Sequence, residues 1–290
     1  PNEALFAWKH LENPFGPSAM WVAEADGRLA GYRAFMRWEL TGAGDRTRRA
    51  VRAVDTATHP DFQRRGVFSS LTSAAVEEMT SEGVDLVFNT PNEQSLPGYL
   101  KLGWESLGHL PIAARPTSFR ALSRLRGARA PAAKWSERTD VGDPGDALEP
   151  TDLEPLLEAR TTVGLSTRLS PAFVRWRFGL GELGYRVWAP DGPDAGAVYF
   201  RIRRRGTARE CAVSLVLTPP GEPDRGRALL AGLRRAVDAD YLLTLGTRWP
   251  GSRFVSVPGH GPVITVRSLA AAAPTSTDDW DLQLGDIELF

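Results

Sequence analysis

The groups best placed to do chemistry in this chain cluster in one short stretch, Asp55-Thr56-Ala57-Thr58-His59-Pro60-Asp61-Phe62-Gln63-Arg64-Arg65-Gly66-Val67-Phe68. The run Val51–Thr58 is rich in β-branched residues and reads as a strand stopped at Pro60. After the turn Gln63-x-x-Gly66, residues Val67, Leu71, Ala74, Ala75 and Met79 recur at helical spacing while Glu77, Glu78 and Thr80 stay polar. Such a turn gathers free backbone N–H groups, the positive end of a helix and the side chains of Arg64 and Arg65 into one small space. That chemistry suits a phosphate-bearing ligand. An ordinary helix start with surface arginines would use the same residues.

A second segment follows in order. Asp85-Leu86-Val87-Phe88-Asn89 reads as an apolar strand, and Asn92-Glu93-Gln94-Ser95 precedes Tyr99-Leu100-Lys101-Leu102-Gly103-Trp104. Strand, pyrophosphate turn, helix, strand, then Asn-x-x-Ser and Tyr-x-Lys-x-Gly-aromatic: over residues 51–104 this arrangement resembles the GCN5-related N-acetyltransferases (GNATs), with fold-level likeness over about 19–114. Phe68 departs from the family pattern, which has Gly or Ala two residues past the turn glycine.

The resemblance implies acetyl-CoA as cosubstrate, with no metal, and direct attack of a small-molecule amine on the thioester. It implies that Thr56, Ala57 and Thr58 offer a backbone edge to the pantetheine arm. It also implies that Gln63, Arg64, Arg65, Gly66, Val67 and Phe68 hold the pyrophosphate, with Asn92 and Ser95 near the cofactor. Asn92 equally suits a helix cap. Tyr99 is the candidate general acid, since a phenol can protonate a departing thiolate and remain neutral at pH 7; packing against Trp104 is its other reading. Asp55 is a possible base or a structural acid, and Glu39 and His59 lie near the same cleft. Two further readings stand beside the acetyltransferase: a non-catalytic acyl-CoA-binding or regulatory module, and another acyl or aminoacyl transferase on the same fold.

Composition narrows the classes. With 290 residues, 42% hydrophobic and 24% charged, the chain is a globular protein long enough for two domains. Its 35 basic and 35 acidic residues balance, which gives no support to nucleic-acid or membrane partners. The single cysteine, Cys211, lies in an apolar run and reads as a core residue, and the four histidines lack metal-ligand spacing. A cytoplasmic location is the default expectation; oligomeric state is not legible.

The expected fold class is α+β: two tandem GNAT-like domains, each a mixed, mostly antiparallel twisted sheet flanked by helices, with splayed central strands in the first. The expected elements are a helix at 2–12, a hairpin at 20–25 and 29–40 turning at Asp26-Gly27, strands at 50–58, 84–89 and 104–112, and helices at 66–81 and 95–101. The chain opens at Pro1 almost directly into a helix, so the first strand and helix of the family fold are expected to lie outside the sequence. Residues 1–114 form the first domain in this reading, 115–150 a basic Pro/Gly/Ala-rich linker or anion-binding arm, and 151–290 a degenerate second domain. The second half repeats the first. Trp176-Arg177 echoes Trp8-Lys9, and Gly226 aligns with Gly66 and Ala228 with Phe68 at an offset of 160. Pro219, Pro220 and Pro223 remove N–H donors where a pyrophosphate would need them, which predicts a dead second site. The Arg203-Arg204-Arg205-Gly206 run reads as a solvated hairpin tip.

Overall fold

A computed structural model of the chain describes residues 2–42, 46–118, 121, 130–222, 224–246 and 252–287. Helix α1 (Asn2–His10) precedes the hairpin β1 (Ala19–Ala25) and β2 (Arg28–Thr41). The turn between them puts Asp26 and Gly27 at φ 53° and 70°, the conformation that asks for Asp-Gly at a two-residue hairpin. Next come β3 (Thr47–Thr58), α2 (Val67–Ser81), β4 (Leu86–Asn89), α3 (Leu96–Lys101) and β5 (Glu105–His109).

The expected strand at 104–112 is two strands. After Leu110-Pro111 the chain leaves the first sheet, and β6 (Ile112–Pro116) pairs in the second. The second half contains β7 (Asp143–Pro144), α4 (Pro150–Glu158), β8 (Ser166–Thr167), α5 (Pro171–Gly179), β9 (Arg186–Trp188), β10 (Ala197–Arg205) and β11 (Ala208–Leu217). It ends with α6 (Arg225–Ala236), β12 (Tyr241–Leu245), β13 (Val255–Ser256), β14 (Val263–Ser268) and α7 (Leu284–Ile287).

These strands form two mixed sheets. One runs β1-β2-β3-β4-β14-β5 with β8 beside β2, and the other runs β13-β6-β12-β11-β10-β9-β7. Among the strands of the described residues, β3–β4 in the first sheet and β11–β12 in the second pair in parallel and the other pairs are antiparallel. Each half therefore lends a strand to the other: β6 crosses into the second sheet, and β14 returns to sit between β4 and β5. The two tryptophans matched in the sequence reading, Trp8 and Trp176, meet in a reciprocal contact. Trp8 Nε1 donates to Trp176 O at 2.6 Å, Trp176 Nε1 donates to Trp8 O at 2.7 Å, and the rings stack at 5.0 Å.

One apolar cluster joins the halves, with Met36, Trp38 and Phe88 packed against Phe173, Tyr241, Leu243 and Trp280. Two readings from sequence need correction. Arg203 and Arg205 are not a solvated tip: they converge on the buried Glu210, at 2.5 and 2.7 Å, and Tyr241 donates to the same carboxylate at 2.8 Å. Burial opposes ionisation of Glu210, yet the two guanidinium groups hold its carboxyl below the usual range. Arg204 alone points outward, to Glu137. Residues 132–137 lie along β10, with Ala133 and Glu137 bridging to Arg204 and Ile202, and β7 pairs with β9. Arg120, Arg124, Arg126 and Arg129 of the basic run, and Pro223, lie outside the described residues.

Because β14 stands between β4 and β5, residues 1–114 made alone lack the strand that ties those two together. We expect that fragment to lose the cooperative thermal transition of the full chain by circular dichroism. A sharp transition in the fragment would show that the first half folds without its partner.

Candidate functional site

The parallel pairing of β3 and β4 covers only Ala50–Leu86, Val51–Val87 and Arg52–Phe88. Beyond Arg52, β3 runs on to Thr58 while β4 stops at Asn89, so the two strands part. On its other edge β3 stays bonded to β2, through a bulge: Phe35 faces Ala53, and Arg33 faces Thr56. Bulges re-aim side chains beside functional sites, and this one sets Val54 and Asp55 at the fork. A cavity of about 180 Å³ opens there, lined by Lys9, Arg52, Asp55, Asn89, Thr90 and Ile287 among others.

At the far end of the β3 edge lies the turn. His59 caps the short 3₁₀ turn Pro60–Phe62, accepting from Asp61 N. Arg64 and Gly66 then take φ of 61° and 81°, and α2 starts. The backbone bonds shown at this turn belong to Phe62, Gln63 and Ser70, and among the described residues the N–H groups from Arg64 to Ser69 have no backbone acceptor outside the helix itself. A run of free N–H groups at a helix start, with positive φ inside it, is an anion cradle. Arg64 and Arg65 are exposed beside it.

Phe68, the departure from the family pattern, has its own accommodation. A Cβ at Gly98 would come within 3.0 Å of the Phe68 ring, so the glycine in α3 makes the room that the phenyl in α2 takes. Phe68 also meets the Tyr99 ring edge-on at 5.6 Å.

Tyr99 is buried, 3% exposed, between Phe68 and Trp104. Its hydroxyl accepts a 2.6 Å hydrogen bond from Arg33 Nη2. Asn92 closes the turn before α3: its Oδ1 accepts from Gln94 N, Ser95 N and Ser95 Oγ at 3.1, 2.9 and 3.0 Å. Thr56, Ala57 and Thr58 lie on the part of β3 that β4 no longer covers.

Asp55 reaches the cavity with its side chain 40% exposed, and both oxygens are engaged at 2.8 Å, one by Lys9 Nζ and one by His10 Nε2. His10 Nδ1 lies 3.0 Å from Ser18 Oγ. Burial resists the Asp55 charge, but His10 and Lys9 hold its carboxyl below the usual carboxylate range. Lys9 is buried, which lowers its pKa despite Asp55. Beneath them Arg52, 1% exposed, donates to the Asp286 and Ile287 carbonyls and packs on the rings of Trp38 and Phe88. Burial and nearby Arg177 push it down to about 9, so it remains protonated at neutral pH. The other two sequence candidates lie apart: Glu39 pairs with Arg168 at 2.8 Å, and His59 is exposed at the turn.

Sequence reasoning missed Lys9, His10, Arg33 and Arg52. The only signal for the last two was an arginine inside an apolar strand, where a charge demands a partner.

The second sheet repeats the fork, with β11–β12 pairing limited to Glu210–Tyr241, Cys211–Leu242 and Ala212–Leu243. Here the gap is occupied by the chain itself. Val216 N, which aligns with Thr56 N, donates to Gln283 Oε1 at 2.9 Å. Gly285 packs so closely on β11 that a Cβ would lie 2.7 Å from Ser214 O. Cys211 is fully buried and its thiol is pushed up by burial, as a core residue should be.

A family model described as "Acetyltransferase (GNAT) domain" matches residues 1–107. Among solved structures, the chain is similar to a protein from Enterococcus faecalis V583 described as "Probable N-Acyltransferase" (10% identity, TM-score 0.61, covering 87% of this chain and 63% of that one). It is also similar to a GCN5-related N-acetyltransferase from Anabaena variabilis ATCC 29413 (14%, 0.60, 92% and 65%). A third, from Kribbella flavida, carries the same description (15%, 0.56, 87% and 60%). The chain thus spans between 60% and 65% of the length of these structures. No match is found among curated proteins. Among the described residues no helix is long and apolar enough to cross a membrane.

The depressed Asp55 pKa has a measurable sign. A carboxyl lowered on folding contributes stability above its unfolded pKa of about 3.9 and loses it as pH falls through the folded value. Melting temperature followed downward through that window should fall more steeply in the native chain than in Asp55→Asn. Parallel curves would mean that Lys9 and His10 do not hold the carboxylate.

Proposed function

We propose that the chain transfers the acetyl group of acetyl-CoA to a small-molecule amine by direct attack on the thioester, a reading supported by the match of residues 1–107 to the GNAT acetyltransferase family model. The observation that carries this reading is the uncovered edge of β3, which leads from the free N–H groups at Arg64–Ser69 to the cavity at Asp55. It offers backbone donors along a narrow gap, a cradle for phosphate at one end and a polar chamber at the other.

In this reading Gln63 to Phe68 bind the pyrophosphate, with Arg64 and Arg65 adding charge. Thr56, Ala57 and Thr58 pair with the pantetheine arm, and one N–H of that edge meets the acetyl oxygen. A donor aimed at developing oxyanion charge contributes about 3 kcal/mol. Tyr99 gives a proton to the departing thiolate, and Asp55 stands on the acceptor side as the candidate base. Asn92 and Ser95 act by shaping the turn before α3 rather than through free side-chain groups. Residues 1–114 supply the catalytic unit. The second half supports it and shapes the cavity through Ile287, and its own fork binds no cofactor.

A second reading, an acyl-CoA-binding module without turnover, draws on two observations: the Tyr99 hydroxyl is buried against Arg33, and the Asp55 carboxylate is already tied to Lys9 and His10.

Calorimetric titration separates these claims from one another. Acetyl-CoA should bind once per chain, and a stoichiometry near two would place a working site in the second half. Gly66→Glu should abolish binding, since it sets bulk and negative charge in the phosphate cradle. Its fold should persist at a lower melting temperature, because φ of 81° disfavours any side chain. Undiminished binding would remove the turn from the site.

Tyr99→Phe keeps the ring packing and removes only the hydroxyl. Acetyl-CoA affinity should barely change, while CoA release in the presence of primary amines falls about 10²-fold or more. Unchanged turnover would return Tyr99 to the core; tight binding with no CoA release from any amine, even in the native chain, would favour the module without turnover.

A further inference from the structure

Arg33 is a guanidinium in the wrong place for structure alone. It is 0% exposed, on β2, opposite Thr56. Three rings enclose it: Phe35, Phe68 and Tyr99, with the guanidinium carbon 4.9, 5.4 and 5.2 Å from their centres. Its Nη2 donates to Tyr99 Oη at 2.6 Å, and Nε and Nη1 are buried without any partner. Among the described residues no carboxylate pairs with it. Buried arginines elsewhere in this chain are ligated: Arg52 by carbonyls, Arg203 by Glu210. A charge left this poorly compensated in an apolar core is costly.

We propose that Arg33 is the positioning residue of the acyl transfer, fixing the direction in which Tyr99 can give its proton and balancing the charge that remains. This rests on the acetyl-transfer reading, with Tyr99 as acid. The argument is one of donor polarity. A guanidinium can only donate, so the phenolic oxygen facing it must accept, and the phenol's own O–H is free to point elsewhere. When the amine forms its C–N bond and the C–S bond breaks, the thiolate takes the phenolic proton. The phenolate then lies 2.6 Å from a cation in a low-dielectric core, where such a contact is strong. The proton lost by the acceptor amine leaves on the Asp55 side, and Tyr99 regains one from water. With a neutral residue at position 33, the phenolate would form unpaired.

The test compares Arg33→Met, which keeps length and loses charge, with Arg33→Lys, which keeps charge. Acetyl-CoA affinity is read by titration and CoA release by thiol detection, with an alkylamine, a diamine, an arylamine and an amino acid as acceptors. Arg33→Met should bind acetyl-CoA within about threefold of the native chain but turn over about 10- to 100-fold more slowly, the scale of one hydrogen bond to a charged group. Arg33→Lys should recover part of that rate. In a Tyr99→Phe background Arg33→Met should cost almost nothing further, because the two residues act as one unit. With 4-nitrophenyl acetate as donor, whose leaving group needs no proton, the Arg33→Met loss should vanish. Equal losses with both donors, or full additivity with Tyr99→Phe, would overturn the proposal and leave Arg33 a packing residue. If Arg33→Met does not fold, the same cycle is run with Arg33→Lys, and the same two outcomes decide. If the native chain binds no acetyl-CoA or releases none with any amine, the underlying reading fails. If it turns over and Tyr99→Phe matches it, the acid assignment fails and Arg33's role with it.

Discussion

The architecture depends on a two-fold relation built into one chain. Trp8 and Trp176 each donate an indole N–H to the other's backbone carbonyl, and the halves exchange β6 and β14 around that contact. A homodimer would make such an isologous interface between two subunits; here a covalent connection makes it permanent. Strand exchange means that neither sheet is complete within its own half. The first sheet's central strands are therefore positioned partly by residues near the chain's end.

That arrangement explains how a gap can persist in the middle of a sheet. Parting two strands strands their backbone donors and acceptors, a cost that water, a ligand or the chain must meet. At the second fork Gln283 meets it by accepting from Val216 N. At the first, the apex is held by Arg52, which ties β3 to the end of α7 and keeps its guanidinium between two rings. The edge from Ala53 to Thr58 stays available. Positive charge from Lys9 and Arg52 then surrounds a single carboxylate, Asp55, which is pinned from two sides.

Much of this was legible in the sequence because local chemistry dictated it. The Asp26-Gly27 turn, the end of β3 before Pro60 and the helix after Gly66 follow from backbone preference and periodicity, and their bounds are close to those expected. The Trp-basic spacing pointed to Trp8 and Trp176, whose rings stack on each other. What sequence could not show was set by distant partners. Residues 104–112 read as one strand, and only the second sheet shows that β6 begins at Ile112. Arg203 and Arg205 look like a solvated tip until Glu210 is folded beneath them. Lys9 and His10 are a helix terminus in sequence and a carboxylate clamp in space. Arg33 and Arg52 are charges inside strands whose environment comes from α2, α3 and α7.

The end of the described chain touches both forks. Gln283 is anchored in the second, and Ile287, four residues later, forms part of the wall of the first. About 6 Å of helical rise separates the two positions. One wall of the first chamber and the filling of the second gap thus belong to the same stretch of chain, residues 283–287.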